Sequence, residues 1–124
     1  MQVENCVPSG IQPKDTGFGY TLSVIGGKYK MTILYWLSEN KVMRFNELQR
    51  KIGTISFKTL SMMLKELETD GIVSREEFPQ IPPKVEYSLT ELGQTIIPVL
   101  DIMCQWGEKN GIPAAQAATI PLSI

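Results

Sequence analysis

Residues 44–84 read RFNELQRKIGTISFKTLSMMLKELETDGIVSREEFPQIPPK. In 45–52, Phe45, Leu48 and Ile52 share one side at helical spacing, and Glu47, Arg50 and Lys51 share the other. That period predicts a short amphipathic helix. Gly53 and Thr54 make a turn, and Ser56 is a credible N-cap, because its hydroxyl can accept from an orphan amide of the next helix. The second helix is expected over 57–69, with Gly71 ending it. Then 72–78 is alternating and β-branched, Pro79, Pro82 and Pro83 forbid regular pairing, and Val85, Tyr87 and Leu89 alternate with Glu86 and Ser88. This is a hairpin with a proline-rich tip. Helix, turn, helix and hairpin in that order predict a winged helix-turn-helix, mainly α with a small β-hairpin (α+β).

Working outward, 16–26 places Phe18, Leu22 and Ile25 at helical spacing, and Gly26-Gly27 should stop that helix. A second helix over 28–39 is apolar on Met31, Ile33, Leu34, Trp36 and Leu37, with Asn40 as its stop. Past the hairpin, Thr90 should cap a last helix over 91–110 that Gly111 closes, and Pro98 should kink it. Residues 1–15 lack periodicity and read as an irregular arm. Residues 16–110 read as the domain proper. Residues 111–124 read as a flexible or partner-docked tail, uncharged and alanine-rich.

At 124 residues, 43% hydrophobic and 20% charged, the chain suits one domain with one modest core. No apolar run approaches the ~20 residues that span a bilayer. The N-terminal sequence has neither a basic start nor an apolar stretch, so no secretory signal is read there. A cytoplasmic protein is expected, with no membrane partner. There is no histidine, and the two cysteines, Cys6 and Cys104, lie far apart. No metal site, no catalytic residue and no cofactor are expected. Gly26-Gly27-Lys28 lacks the spaced upstream glycine of a phosphate loop. The chain is not read as an enzyme.

The net charge is only −1, but it is unevenly placed. Between 28 and 58, Lys28, Lys30, Lys41, Arg44, Arg50, Lys51 and Lys58 face only Glu39 and Glu47. A local basic face is what releases counterions from DNA. On a wheel at ~100° per residue, Leu60, Met63, Leu64 and Leu67 share one side of the 57–69 helix, with Lys58, Ser61, Met62, Lys65 and Thr69 opposite. The second side holds two cations, a hydroxyl and an apolar group that could meet a thymine methyl. The amides near Ser56 and Phe57 favour a phosphate. Arg75, Gln80 and Lys84 are expected around the wing tip, where contacts position the protein without reading sequence. A solvated helix face beside a plain structural hairpin is the competing reading of the same residues.

The strings YTLSVIGGKYK, RFNELQRKI, TLSMMLKELETDGIVSRE and PPKVEYSLTELG, with PVLDIMCQWGE after them, resemble the HxlR family of bacterial transcriptional regulators, relatives of the MarR group. The resemblance spans about residues 20–108. It implies a homodimer on a palindromic or near-palindromic operator in double-stranded DNA, with 57–69 in the major groove and the hairpin as wing. It also implies a dimer built from the first and last helices, through Phe18, Leu22, Ile97, Leu100, Ile102, Met103, Cys104 and Trp106. The 91–109 wheel supports a partner helix independently, since apolar residues cover well over half of it, and the competing reading is a helix pinned between its own domain and the apolar tail.

The sequence departs from the family pattern in places. The register where members usually carry a cysteine falls on Thr16, and Cys6 lies ten residues further upstream. In some members that cysteine senses oxidants or electrophiles. The role does not carry over to Cys6 by position. A relocated sensor there is an expectation from accessibility alone, with Lys14 the one cation near it in sequence. Tyr29 stands where tryptophan is frequent, and Phe57 where a polar residue is common. Lys58, Ser61 and Lys65 are expected at base edges or flanking phosphates, and Arg44, Arg50, Lys51, Arg75 and Lys84 on the backbone. The leading expectation is a homodimeric transcriptional regulator, with a redox or small-molecule effector. The alternative is a winged helix used for protein–protein interaction.

Overall fold

The computed structural model describes residues 9–111. Cys6, most of the arm and the tail beyond Gly111 lie outside them. The helices are α1 (Gly17–Ile25), α2 (Lys30–Asn40), α3 (Phe45–Ile52), α4 (Phe57–Thr69), α5 (Glu91–Thr95) and α6 (Ile97–Asn110). The strands are β1 (Val42–Met43), β2 (Val73–Phe78) and β3 (Lys84–Leu89), in sheet order β1-β3-β2, antiparallel throughout. Helix-turn-helix and hairpin stand as expected.

The core lies where α2, α3, α4 and the sheet meet. Ile33, Leu34 and Leu37 come from α2, Leu48 and Ile52 from α3, and Leu60, Leu64 and Leu67 from α4, with Val73 and Tyr87 from the sheet. These are the faces the helical period picked out, and apolar burial of that kind is the main favourable term in folding.

The turn between α3 and α4 is over-determined. Gly53 takes φ +82°, where a side chain would be strained, and its N–H bonds to the Gln49 carbonyl at 2.9 Å. The Gln49 amide reaches the Ile55 carbonyl at 3.3 Å, and the Tyr29 hydroxyl donates to the Thr54 carbonyl at 3.1 Å. The hydroxyl of Ser56 then accepts from Thr59 N–H at 3.1 Å, opening α4 at the residue the sequence pointed to.

Three expectations need correction. The last helix is not one kinked rod: it divides at Ile96 into α5 and α6, with Pro98 in the first turn of α6. Proline has no N–H for the carbonyl four residues back, so the chain ends one helix and starts another. The arm is not wholly irregular, because Pro13–Asp15 make one 3-10 turn packed on α1. The two-residue strand β1 went unread, being too short to show a period. It pairs Val42 with Ser88 and Met43 with Tyr87.

Thr90 roots the α5–α6 segment. Its hydroxyl lies 2.6 Å from the Gly71 carbonyl as donor and accepts from Gly93 N–H at 2.9 Å. Gly93 sits so close to Ile72 that a side chain would strike its carbonyl oxygen.

Candidate nucleic-acid interface

The outer face of α4 is built by exclusion. Leu60, Leu64 and Leu67 are buried, which turns Lys58, Ser61, Met62, Lys65 and Thr69 to solvent. The N-terminus of α4 is open, with Ser56, Phe57 and Lys58 exposed around it. Phe57 is 66% exposed, yet its ring packs on Phe45 of α3 with centroids 4.7 Å apart. An apolar ring held in that position in water is braced by its neighbour rather than buried.

Arg44, Arg50 and Lys51 are exposed on α3. Arg44 stands at the helix start, where its N–H bonds the Glu47 carboxylate at 2.8 Å, half of a capping box. The Lys51 ammonium lies over the Trp36 ring, 5.3 Å from its centroid.

The wing differs from expectation at one residue. Gln80 and Lys84 flank the tip, but Arg75 lies in the middle of β2, directly opposite Tyr87. A hairpin symmetric about Ile81 makes that pairing necessary, so the register was legible and Arg75 was misplaced at the tip. Hydrogen bonding to Tyr87 is the main influence holding the Arg75 guanidinium above its ordinary range, with the charge of Glu77 adding to it. Arg75 also meets the Glu77 carboxylate at 3.3 Å. At the tip, Lys84 pairs with Glu86 at 3.2 Å and its ammonium sits 4.8 Å from the centre of the Phe78 ring. The exposed Arg75–Glu77 pair is worth ~0–1 kcal/mol, so a phosphate could replace its carboxylate at little cost, whereas Lys84 and Glu86 are half-buried.

Between α4 and the wing lies an open cleft of about 400 Å³, lined by Ser61, Lys65, Glu68, Arg75 and Tyr87. It joins the reading face of the helix to the wing cation. Tyr87 and Glu68 were not singled out from sequence. Tyr87 carried the signal, since the strand register puts it beside Arg75.

Not every cation in the basic stretch is at the surface. Lys30 is buried against Glu66, which removes it from the face that the charge count assembled. On α1 and α6, Phe18, Leu22, Ile102, Met103 and Trp106 are exposed, as is Cys104. Leu100 differs from the expected interface set: it packs against the chain's own core, and Ile97 is half-buried. The Cys104 thiol is pushed above its usual range, first by partial desolvation and then by the charge of Glu108. Thr16, at the family's usual cysteine register, is the N-cap of α1: its hydroxyl donates to the Pro13 carbonyl and accepts from Gly19 N–H at 3.2 Å.

Fold and site together define a winged helix-turn-helix protein. The HxlR-like helix-turn-helix family pattern matches residues 24–114. An HTH-type transcriptional regulator of Halalkalibacterium halodurans is 62% identical over 97 residues, covering 78% of this chain and 86% of the relative. The HTH-type transcriptional regulator YdzF of Bacillus subtilis is 51% identical over 100 residues, covering 81% and 92%. Among solved structures, the redox regulator HypR in its reduced form superposes with a TM-score of 0.70 at 49% identity, covering 73% of this chain and 89% of that one. The chain belongs to the HxlR-like helix-turn-helix family. Among the described residues, no helix is long and apolar enough to cross a membrane.

Proposed function

We propose that this HxlR-family transcriptional regulator binds a palindromic operator in double-stranded DNA as a homodimer. The observation that carries the reading is the outward face of α4, with Lys58, Ser61, Met62 and Lys65 exposed beside a wing cation across one cleft. In this reading α4 enters the major groove. Lys58, Ser61 and Lys65 approach base edges, and Met62 meets a thymine methyl. Arg44, Arg50, Lys51, Arg75 and Lys84 hold phosphates, the amides at Ser56 and Phe57 receive another, and Gln80 lies along the backbone at the wing tip. Two α4 helices in a dimer would read half-sites about one turn apart, ~34 Å.

The exposed apolar side chains of α1 and α6 support the dimer. The domain would be 16–110, working in the cytoplasm of a bacterial cell with the arm and tail outside it. The likeness to HypR, a redox regulator, favours an oxidant as effector over another small molecule. Partial desolvation and the charge of Glu108 disfavour the Cys104 thiolate, which leaves Cys6 as the candidate for that signal.

The test is titration against duplex DNA at two salt concentrations, using a site selected from random duplexes. Binding should weaken steeply with salt, and Lys84→Ala should lower the slope by about one while Lys109→Ala leaves it unchanged. A symmetric selected site supports the dimer, and a site lost on oxidation but kept by Cys6→Ser supports the effector. Absence of salt-dependent binding would sink the proposal and favour a protein-interaction role.

A further inference from the structure

Lys30 is the only buried charged residue among the described residues, 6% exposed. Its ammonium touches two other helices. It lies 2.7 Å from a carboxylate oxygen of Glu66 on α4, and 3.4 Å from the carbonyl oxygen of Ser23 in α1. Ser23 is in the last turn of α1, where carbonyls lack helical partners and the helix end is partly negative. Lys30 itself opens α2. One ammonium therefore joins the start of α2, the end of α1 and the flank of the reading helix.

Taking an ammonium out of water is costly, and an apolar side chain of similar length commonly fills such a place as well or better. Its retention is better explained by orientation than by stability. A charge-assisted hydrogen bond holds only over a narrow range of distance. Glu66 follows Lys65 directly and lies about a quarter-turn from the reading face at ~100° per residue. A bond to that flank therefore fixes the roll of α4 about its axis. On a helix ~10–12 Å across, a roll of about 20° carries a side-chain tip through about 2 Å, enough to break a contact with a base.

Resting on the DNA-binding reading above, we propose that Lys30 is a positioning residue for DNA recognition. It sets the roll of α4 against α1, the helix that carries the proposed dimer face. It would touch no DNA itself. Specific binding should then depend on it, and non-specific binding should not.

The experiment measures affinity for the wild-type selected site and for an unrelated duplex, each at two salt concentrations, with a thermal melt alongside. For Lys30→Met the selected site should weaken about tenfold, on the order of one lost base-pair contact, while the unrelated duplex keeps its affinity and salt slope. Lys30→Arg, which keeps the charge and both bonds, should recover most of the difference. Glu66→Ala alters the half-exposed partner and guards against a folding failure of the first variant; it too should narrow the gap between the duplexes. An unchanged ratio of the two affinities in Glu66→Ala overturns the proposal. So does an equal loss on both duplexes with a slope lowered by about one, since Lys30 would then be a phosphate contact. If the wild-type protein itself shows no salt-dependent binding, the DNA-binding reading fails first and this inference falls with it.

Discussion

Helices α4 and α6 are nearly equal in length, 13 and 14 residues, and both are amphipathic by sequence. They end in opposite situations. Every leucine of α4 is buried in the chain's own core. No residue of α6 is buried, and Ile102 and Trp106 are 65% and 69% exposed. A wheel shows that a helix has an apolar face. It does not show whether that face meets its own domain or another surface. In α4 the covered face frees the polar one for work. In α6 Leu100 packs on the core, while the rest of the apolar surface, Ile102, Met103 and Trp106, stays exposed.

The sharpest way to break this comparison is to truncate one side chain on each helix. Leu64→Ala should cost ~2–5 kcal/mol of unfolding free energy, read by urea denaturation, because it leaves a cavity under α4. Trp106→Ala should cost far less in dilute protein, and should weaken the concentration dependence of the midpoint if a second copy covers α6. Equal losses for both at every concentration would mean that α6 is packed within one chain after all.

A smaller effect separates the root of α6 from its face. Thr90 caps α5 and bonds back to the loop before β2, so the base is firmly held although the outer face is bare. Thr90→Ala should cost about 0.5–2 kcal/mol. Amide exchange should quicken at Gly93 while the α4 amides stay protected. The smallest effect is on Cys104. A thiol pushed upward holds less thiolate at neutral pH, so iodoacetamide should label it slowly until the pH passes the ordinary thiol range. Glu108→Gln should move that onset to lower pH, and no movement would leave desolvation and the charge of Asp101 as the causes.

Much of the reading unit was legible because its signals are local. Ser56, Gly53 and Gly71 are punctuation, and the bounds of α3 and α4 follow from them and from the leucine spacing. The split at Ile96 was half-legible: Pro98 announces trouble but not whether the helix bends or restarts. Lys30 was not legible. It sits in a run of cations, and only the distant Glu66 and Ser23 make it an internal group. Tyr87 was missed for the opposite reason, since its neighbour across the hairpin could have been counted from Ile81.

Strand β1 is only two residues long, yet its place in the chain gives it a role in folding order. It precedes α3, and its partner β3 follows β2, so the Val42–Ser88 pairing closes a loop around the whole helix-turn-helix. Such a closure loses chain entropy before it gains contacts, and that loss grows only slowly with loop length. The pairing should therefore form late, after α3, α4 and the hairpin have shortened the effective distance between its ends. On this account the wing becomes rigid only once the reading helix is in place, and the two halves of the interface mature as one cooperative unit.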